Sequence, residues 1–98
     1  MENLLTMKDL VEFFEFLKED KRPQYIGVVV KKEEYEVPEL IVNERRAFTD
    51  KQEYYMSAYK QDLTLKSSSS IRIVAWFGGQ LGDILYAFED YLKENYGE

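Results

Sequence analysis

Apolar residues recur every three or four positions near the start of the chain, at Met7, Leu10, Val11, Phe14 and Leu17, with Phe13 widening the stripe. That period is helical and predicts an amphipathic helix over 6–19. Thr6 followed by Asp9 is a version of the capping box that opens such a helix. Lys21-Arg22-Pro23 ends it, because the residue before a proline disfavours the α region. The pattern then changes. YIGVVVK, residues 25–31, reads as a strand, and three consecutive valines suit burial on both faces. KKEEYEVPE is polar and carries Pro38, so it reads as a turn or an edge. Leu40-Ile41-Val42 is a short second strand ending at Asn43.

Thr49 with Gln52 three residues later signals a second helix start and predicts a helix from 50 to about 60. Leu63 and Leu65 alternate with polar neighbours, four serines follow at 67–70, and IRIVAWF completes a strand–turn–strand hairpin. Simple alternation there puts Ile71, Ile73, Ala75 and Phe77 on one face, with Val74 and Trp76 on the other. After Gly78-Gly79, the residues Leu81, Ile84, Leu85, Phe88, Tyr91, Leu92 and Tyr96 form the cleanest helical stripe, over 80–96, with Gly97 closing it. The order is α-β-β-α-β-β-α, with gaps too short for most parallel crossovers. The expected fold is α+β, with a four-stranded, mainly antiparallel sheet and both end helices packed on one of its faces. The expected core is Leu10, Phe14, Leu17, Ile73, Ala75, Ile84, Leu85, Phe88 and Leu92.

At 98 residues the chain holds one domain, taken as 1–98. The absence of cysteine excludes a disulfide framework, a thiolate metal site and a cysteine nucleophile. The absence of histidine removes the usual general base and most zinc sites. A net charge of −6 argues against wrapping nucleic acid and against an anionic membrane surface. The acidity is concentrated in residues 1–20 and 79–98, each net −4, while 21–78 is net +2. No signal peptide or run of 18 apolar residues is visible, so a cytoplasmic location is expected.

Several constellations carry chemistry in other proteins. Gly78-Gly79-Gln80-Leu81-Gly82 joins a strand to a helix, where a phosphate loop would sit. It lacks a following Lys or Arg, and Asp83 brings a negative charge to the same helix end, which favours a tight turn. Ser67 to Ser70 have no histidine to activate them and read as a solvated hairpin tip. The many carboxylates match no metal-loop spacing. Glu44-Arg45-Arg46 reads as surface ion pairs rather than as an anion grip. No catalytic, cofactor-binding or metal-binding residue is assigned, and no enzymatic activity is expected. The eight tyrosines are the unusual feature, since tyrosine is enriched at interfaces. Tyr59 and Tyr91 fall on buried stripes, whereas Tyr35, Tyr54 and Tyr86 fall off them.

Residues 38–74 are similar to small accessory proteins of bacteriophages and prophages of Gram-positive bacteria. PELIVNERRAF, Tyr54-Tyr55, Tyr59, Asp62-Leu63-Thr64-Leu65-Lys66 and Ile71-Arg72-Ile73-Val74 carry the resemblance. It implies an accessory role in the cytoplasm of a bacterial host, such as an inhibitor or modulator of a host enzyme of the anti-CRISPR or anti-restriction kind. An immunity protein against a basic toxin and a phage structural component are the alternatives. On either of the first two readings the partner is a protein with a basic surface, steered by an acidic field. The residues expected to meet it are Asp83, Tyr86, Asp90 and Glu94 on the last helix, and Glu12, Glu15 and Glu19 on the first. With both helices on one face, the two rows would make a single acidic field.

Overall fold

The computed structural model describes residues 5–97. Helix α1 spans Met7–Glu19 and opens on the capping box anticipated from Thr6 and Asp9, with both reciprocal bonds made. Strand β1, Tyr25–Lys32, leads into β2, Glu39–Glu44. A 3-10 turn, Arg45–Ala47, feeds α2, Phe48–Ala58. A two-residue strand, β3 (Thr64–Leu65), turns into the long β4, Ser68–Gly79, and α3 spans Leu81–Tyr96. The sheet order is β2-β1-β4-β3 and every pairing is antiparallel. The α+β class and the order of elements are those read from the sequence.

The two end helices lie on opposite faces of the sheet, not on one. Consecutive strand residues point to opposite faces, and a side chain at Gly78 would meet Leu17 of α1 while one at Gly79 would meet Asp83 of α3. On the first face, α1 and α2 bury Met7, Leu10, Phe14, Leu17, Phe48, Tyr55 and Tyr59 against Ile26, Val28, Val30 and Ile73. On the second face, α3 lies alone over β1 and β4. There Gly27 permits a close approach: a Cβ would come within 2.6 Å of the Ile84 side chain. Ile84 sinks onto the sheet and is fully buried, while the remainder of the apolar stripe is not. Phe88 and Leu92 are half-buried, and Leu81 and Leu85 are 43% and 51% exposed. The expectation that Leu85, Phe88 and Leu92 are core is thus corrected, because the helix contacts the sheet along one line and not across its whole stripe.

Strand β4 also departs from simple alternation. Val29 pairs with Ala75 but Val30 pairs with Ile73, so one residue of β4 is inserted between them. Such a bulge shifts the phase of side chains beyond it. Ile71 and Ile73 therefore join Trp76 on the α1 face, while Ala75 and Phe77 turn to the α3 face, where Phe77 stacks edge-on to Tyr91 at 6.4 Å. The serines are corrected as well. The turn is Lys66-Ser67, and Ser68 to Ser70 belong to β4, with the Ser68 and Ser70 hydroxyls 2.9 Å apart.

Helix α2 starts earlier than Thr49 suggests, and no side chain caps it. Gln52 is buried, and its amide donates to Glu15 of α1 at 2.9 Å, tying the helices together. After α2, Leu63 is fully buried at φ +72°, a left-handed conformation unusual for leucine. The turn around it is held by Asp62, which accepts from the Thr64 amide and hydroxyl, and its carboxyl is lowered in pKa mainly by those two bonds.

Tyr55 sits at the centre of an aromatic cluster with Phe14, Tyr54 and Tyr59. Its hydroxyl is buried with no hydrogen-bond partner. Burial, reinforced by Tyr59 and Tyr54, raises its pKa strongly. The proton is therefore favoured in the fold, and the associated stability is present below the ordinary tyrosine pKa and lost as pH rises past it. Tyr55→Phe removes an unsatisfied buried hydroxyl, so a gain of about 1 kcal/mol or no change is expected at neutral pH. The same variant should unfold less readily on alkaline titration followed by circular dichroism. A loss of stability at neutral pH would show that the hydroxyl is bonded in solution.

Candidate protein-binding surface

Helical geometry decides what α3 presents to solvent. At 100° per residue, Tyr86 and Asp90 fall on the side away from buried Ile84, and Asp83 and Glu94 fall on the flank beside them. All four are exposed, Tyr86 most of all at 69%. Asp83 has a structural task, since its carboxylate accepts from the Gln80 backbone amide at 3.1 Å and closes the helix start. That carboxylate brings a negative charge to the helix start, which disfavours an anion there, and the Gln80 side chain donates to the Arg22 carbonyl at 2.8 Å. Asp90 and Glu94 make no ion pair among the described residues. Tyr86, Asp90 and Glu94 are therefore an aromatic ring and two carboxylates with no structural task visible in the fold.

The row on α1 is different in kind. Glu12, Glu15 and Glu19 are exposed, but Glu15 accepts from Gln52 and pairs with Lys18 at 3.1 Å. Its carboxyl is lowered in pKa, first by the Gln52 bond and then by Lys18. With α1 and α3 on opposite faces, the two rows do not merge into the single acidic field expected from the sequence. They are two separate surfaces with the sheet between them.

Arginine 45 corrects the reading of Glu44-Arg45-Arg46. Its guanidinium donates to the carbonyls of Leu17 at 2.9 Å, Asp20 at 2.7 Å and Pro23, and it lies over the Phe48 ring at 5.2 Å. The Leu17 and Asp20 carbonyls lie at the end of α1, where a helix leaves carbonyls without partners, and Pro23 lies in the connection to β1. Arg45 therefore closes α1 from a distance of more than twenty residues in sequence, and nothing local announces it. Arg46 fits the expectation, as an exposed side chain paired with Glu44 at 3.3 Å. Both arginines border a surface depression of about 490 Å³, with Gln24, Tyr25, Glu44 and Gln80. The Arg45 Nε and one terminal nitrogen are held by the carbonyls of Leu17, Asp20 and Pro23, which fixes that guanidinium at the rim of the depression. At the end of α1, Asp20 pairs with Arg22 at 2.9 Å, which lowers its carboxyl to a pKa of about 2.

Among the tyrosines, Tyr59 is buried and Tyr91 half-buried, while Tyr35, Tyr54 and Tyr86 are exposed, as the stripes indicated. Tyr35 and Tyr54 each have a lysine above the ring, Lys32 at 5.5 Å and Lys51 at 4.9 Å. Tyr86 has no such neighbour among the described residues. No group of three or more acidic side chains among the described residues is placed to hold a metal ion. No helix among them is long and apolar enough to cross a membrane. Comparison with protein-family models, with curated proteins and with solved structures finds no match to this chain.

Proposed function

We propose that the chain is a non-enzymatic protein-binding module whose α3 face engages a basic protein surface and inhibits or modulates that partner. The observation that carries this reading is Tyr86. A large ring is 69% exposed on a helix whose neighbouring Asp90 and Glu94 have no partner of their own. Exposed aromatic rings serve as anchors when a partner desolvates them, and flanking carboxylates steer a basic partner towards them. The α1 row contributes less on this reading, since Glu15 is committed to Gln52 and Lys18. The resemblance over residues 38–74 favours an accessory phage protein acting in the cytoplasm of a bacterial host.

The test is kinetic. Once a partner is in hand, Asp90→Lys with Glu94→Lys should slow association several-fold and flatten its dependence on salt. Tyr86→Ala should accelerate dissociation, costing about 2 kcal/mol or more of binding if the ring is an anchor. All three side chains are exposed, so the thermal midpoint should stay nearly constant. Unchanged rates in both variants would remove α3 from the interface.

A further inference from the structure

We propose that the outer edge of β2 pairs antiparallel with the same edge of a second copy, joining two sheets into one of eight strands. The Arg45 amide donates to the Gln24 carbonyl at 2.8 Å, directly opposite in the register that continues from Tyr25 and Glu44. In an antiparallel pair the hydrogen-bonded positions alternate. Glu39, Ile41 and Asn43 therefore turn their amides and carbonyls to β1, and Leu40 and Val42 turn theirs outward. No turn, loop or cap among the described residues takes up those outward groups. The edge also lacks the usual protection, having no lysine, proline or bulge between Leu40 and Asn43. The opposite edge, β3, is only two residues long and its register is broken.

Side chains point to the same junction. Leu40 lies against Gly27 and Ile84, which puts it on the α3 face, and Val42 shares that face by alternation. The flank of α3 towards β2 carries Leu81, Leu85 and Leu92. Leu92 borders the same shallow depression as Val37, which precedes β2. Leu40 and Val42 are half-buried and Leu81 and Leu85 exposed, so an apolar strip runs along the strand edge with none of the described residues covering it.

Charge selects a second copy as the occupant. A two-fold axis through Ile41 sets Leu40 opposite Val42 of the second copy and Glu39 opposite its Asn43, so no carboxylate faces a carboxylate across the ladder. The start of β2 then lies beside the end of β2 in the second copy. The connection before β2 carries exposed Glu33, Glu34 and Glu36, and the turn after it carries Arg46, whose side chain is 85% exposed. Each copy thus brings an acidic turn to the other's arginine, twice over. This interface is separate from the proposed partner surface, because Asp90 and Glu94 lie on the opposite flank of α3 from Leu81 and Leu85.

Sedimentation equilibrium of the full chain, from micromolar to submillimolar concentration, tests the proposal. The expected result is a concentration-dependent species of twice 11.7 kDa. Leu40→Pro removes an outward amide at a position where an edge strand accepts proline, and should abolish the dimer. Because that variant could also disturb the fold, charge exchange gives a second readout on exposed residues. Arg46→Glu or Glu36→Arg alone should weaken the dimer about tenfold, as two equivalent contacts are reversed at once, and the double variant should restore it. A single species of 11.7 kDa at every concentration would overturn the proposal. So would a dimer indifferent to Leu40→Pro and to both charge reversals.

Discussion

Replacing Phe14 with alanine is expected to lower stability by about 3–5 kcal/mol, among the largest effects of any single truncation in the fold. The ring is fully buried where α1, α2 and the sheet meet, edge-on to Phe48 at 6.3 Å and tilted against Tyr55 at 6.2 Å. Truncation empties space that three elements share, and none can close it without disturbing the others. Denaturant unfolding of Phe14→Ala beside Phe88→Ala and Leu85→Ala makes the measurement specific. Phe88 is half-buried and should cost less than Phe14, and Leu85, about half exposed, should cost least. Equal losses at Phe14 and Phe88 would mean that α3 docks more deeply than described.

The second large effect is expected at Arg45. Arg45→Lys keeps the charge and the length of the stem but loses the planar fork that reaches the carbonyls of Leu17, Asp20 and Pro23. One ammonium cannot serve all three, and the carbonyls left behind are partly buried. A loss of about 2–4 kcal/mol is expected, the order of one or two hydrogen bonds from a charged donor. The exposed neighbour is the control, since Arg46→Lys should change stability by no more than about 0.5 kcal/mol. If the two arginine variants unfold at the same denaturant concentration, Arg45 does not close α1.

These two residues show what the sequence makes legible. Phe14 stands out in the amino-acid pattern because its position follows from the helical period alone, as do Leu10, Leu17 and Ile84. The capping box of Thr6 and Asp9 is equally local. Arg45 is not legible, because its acceptors lie more than twenty residues away and only the tertiary fold brings them near. The face on which α3 lands is a similar case. Its stripe demands a sheet to cover but says nothing about which side, and that choice separates the two acidic rows. The phase of β4 fails for another reason: a single inserted residue opposite β1 moves Ala75 and Phe77 to the other face, and no residue type marks the insertion. Leu85, Phe88 and Leu92 were expected in the core because hydrophobicity reports what could be buried, not how wide a contact the sheet offers. Among the candidate binding residues, the exposure of Tyr86, Asp90 and Glu94 was readable from period alone. The commitment of Glu15 to Gln52 of another helix was not.

The proposed function rests on α3, more than α1, being the contact surface. Parallel capture from bacterial lysate compares three immobilised proteins: the parent, the α3 variant Asp90→Lys with Glu94→Lys, and the α1 variant Glu12→Lys with Glu19→Lys. Each double reversal changes the net charge equally, so non-specific electrostatic retention shifts alike in both variants. The expected result is a protein retained by the parent and the α1 variant and lost from the α3 variant. Retention by the α3 variant, with loss from the α1 variant or from neither, would contradict it.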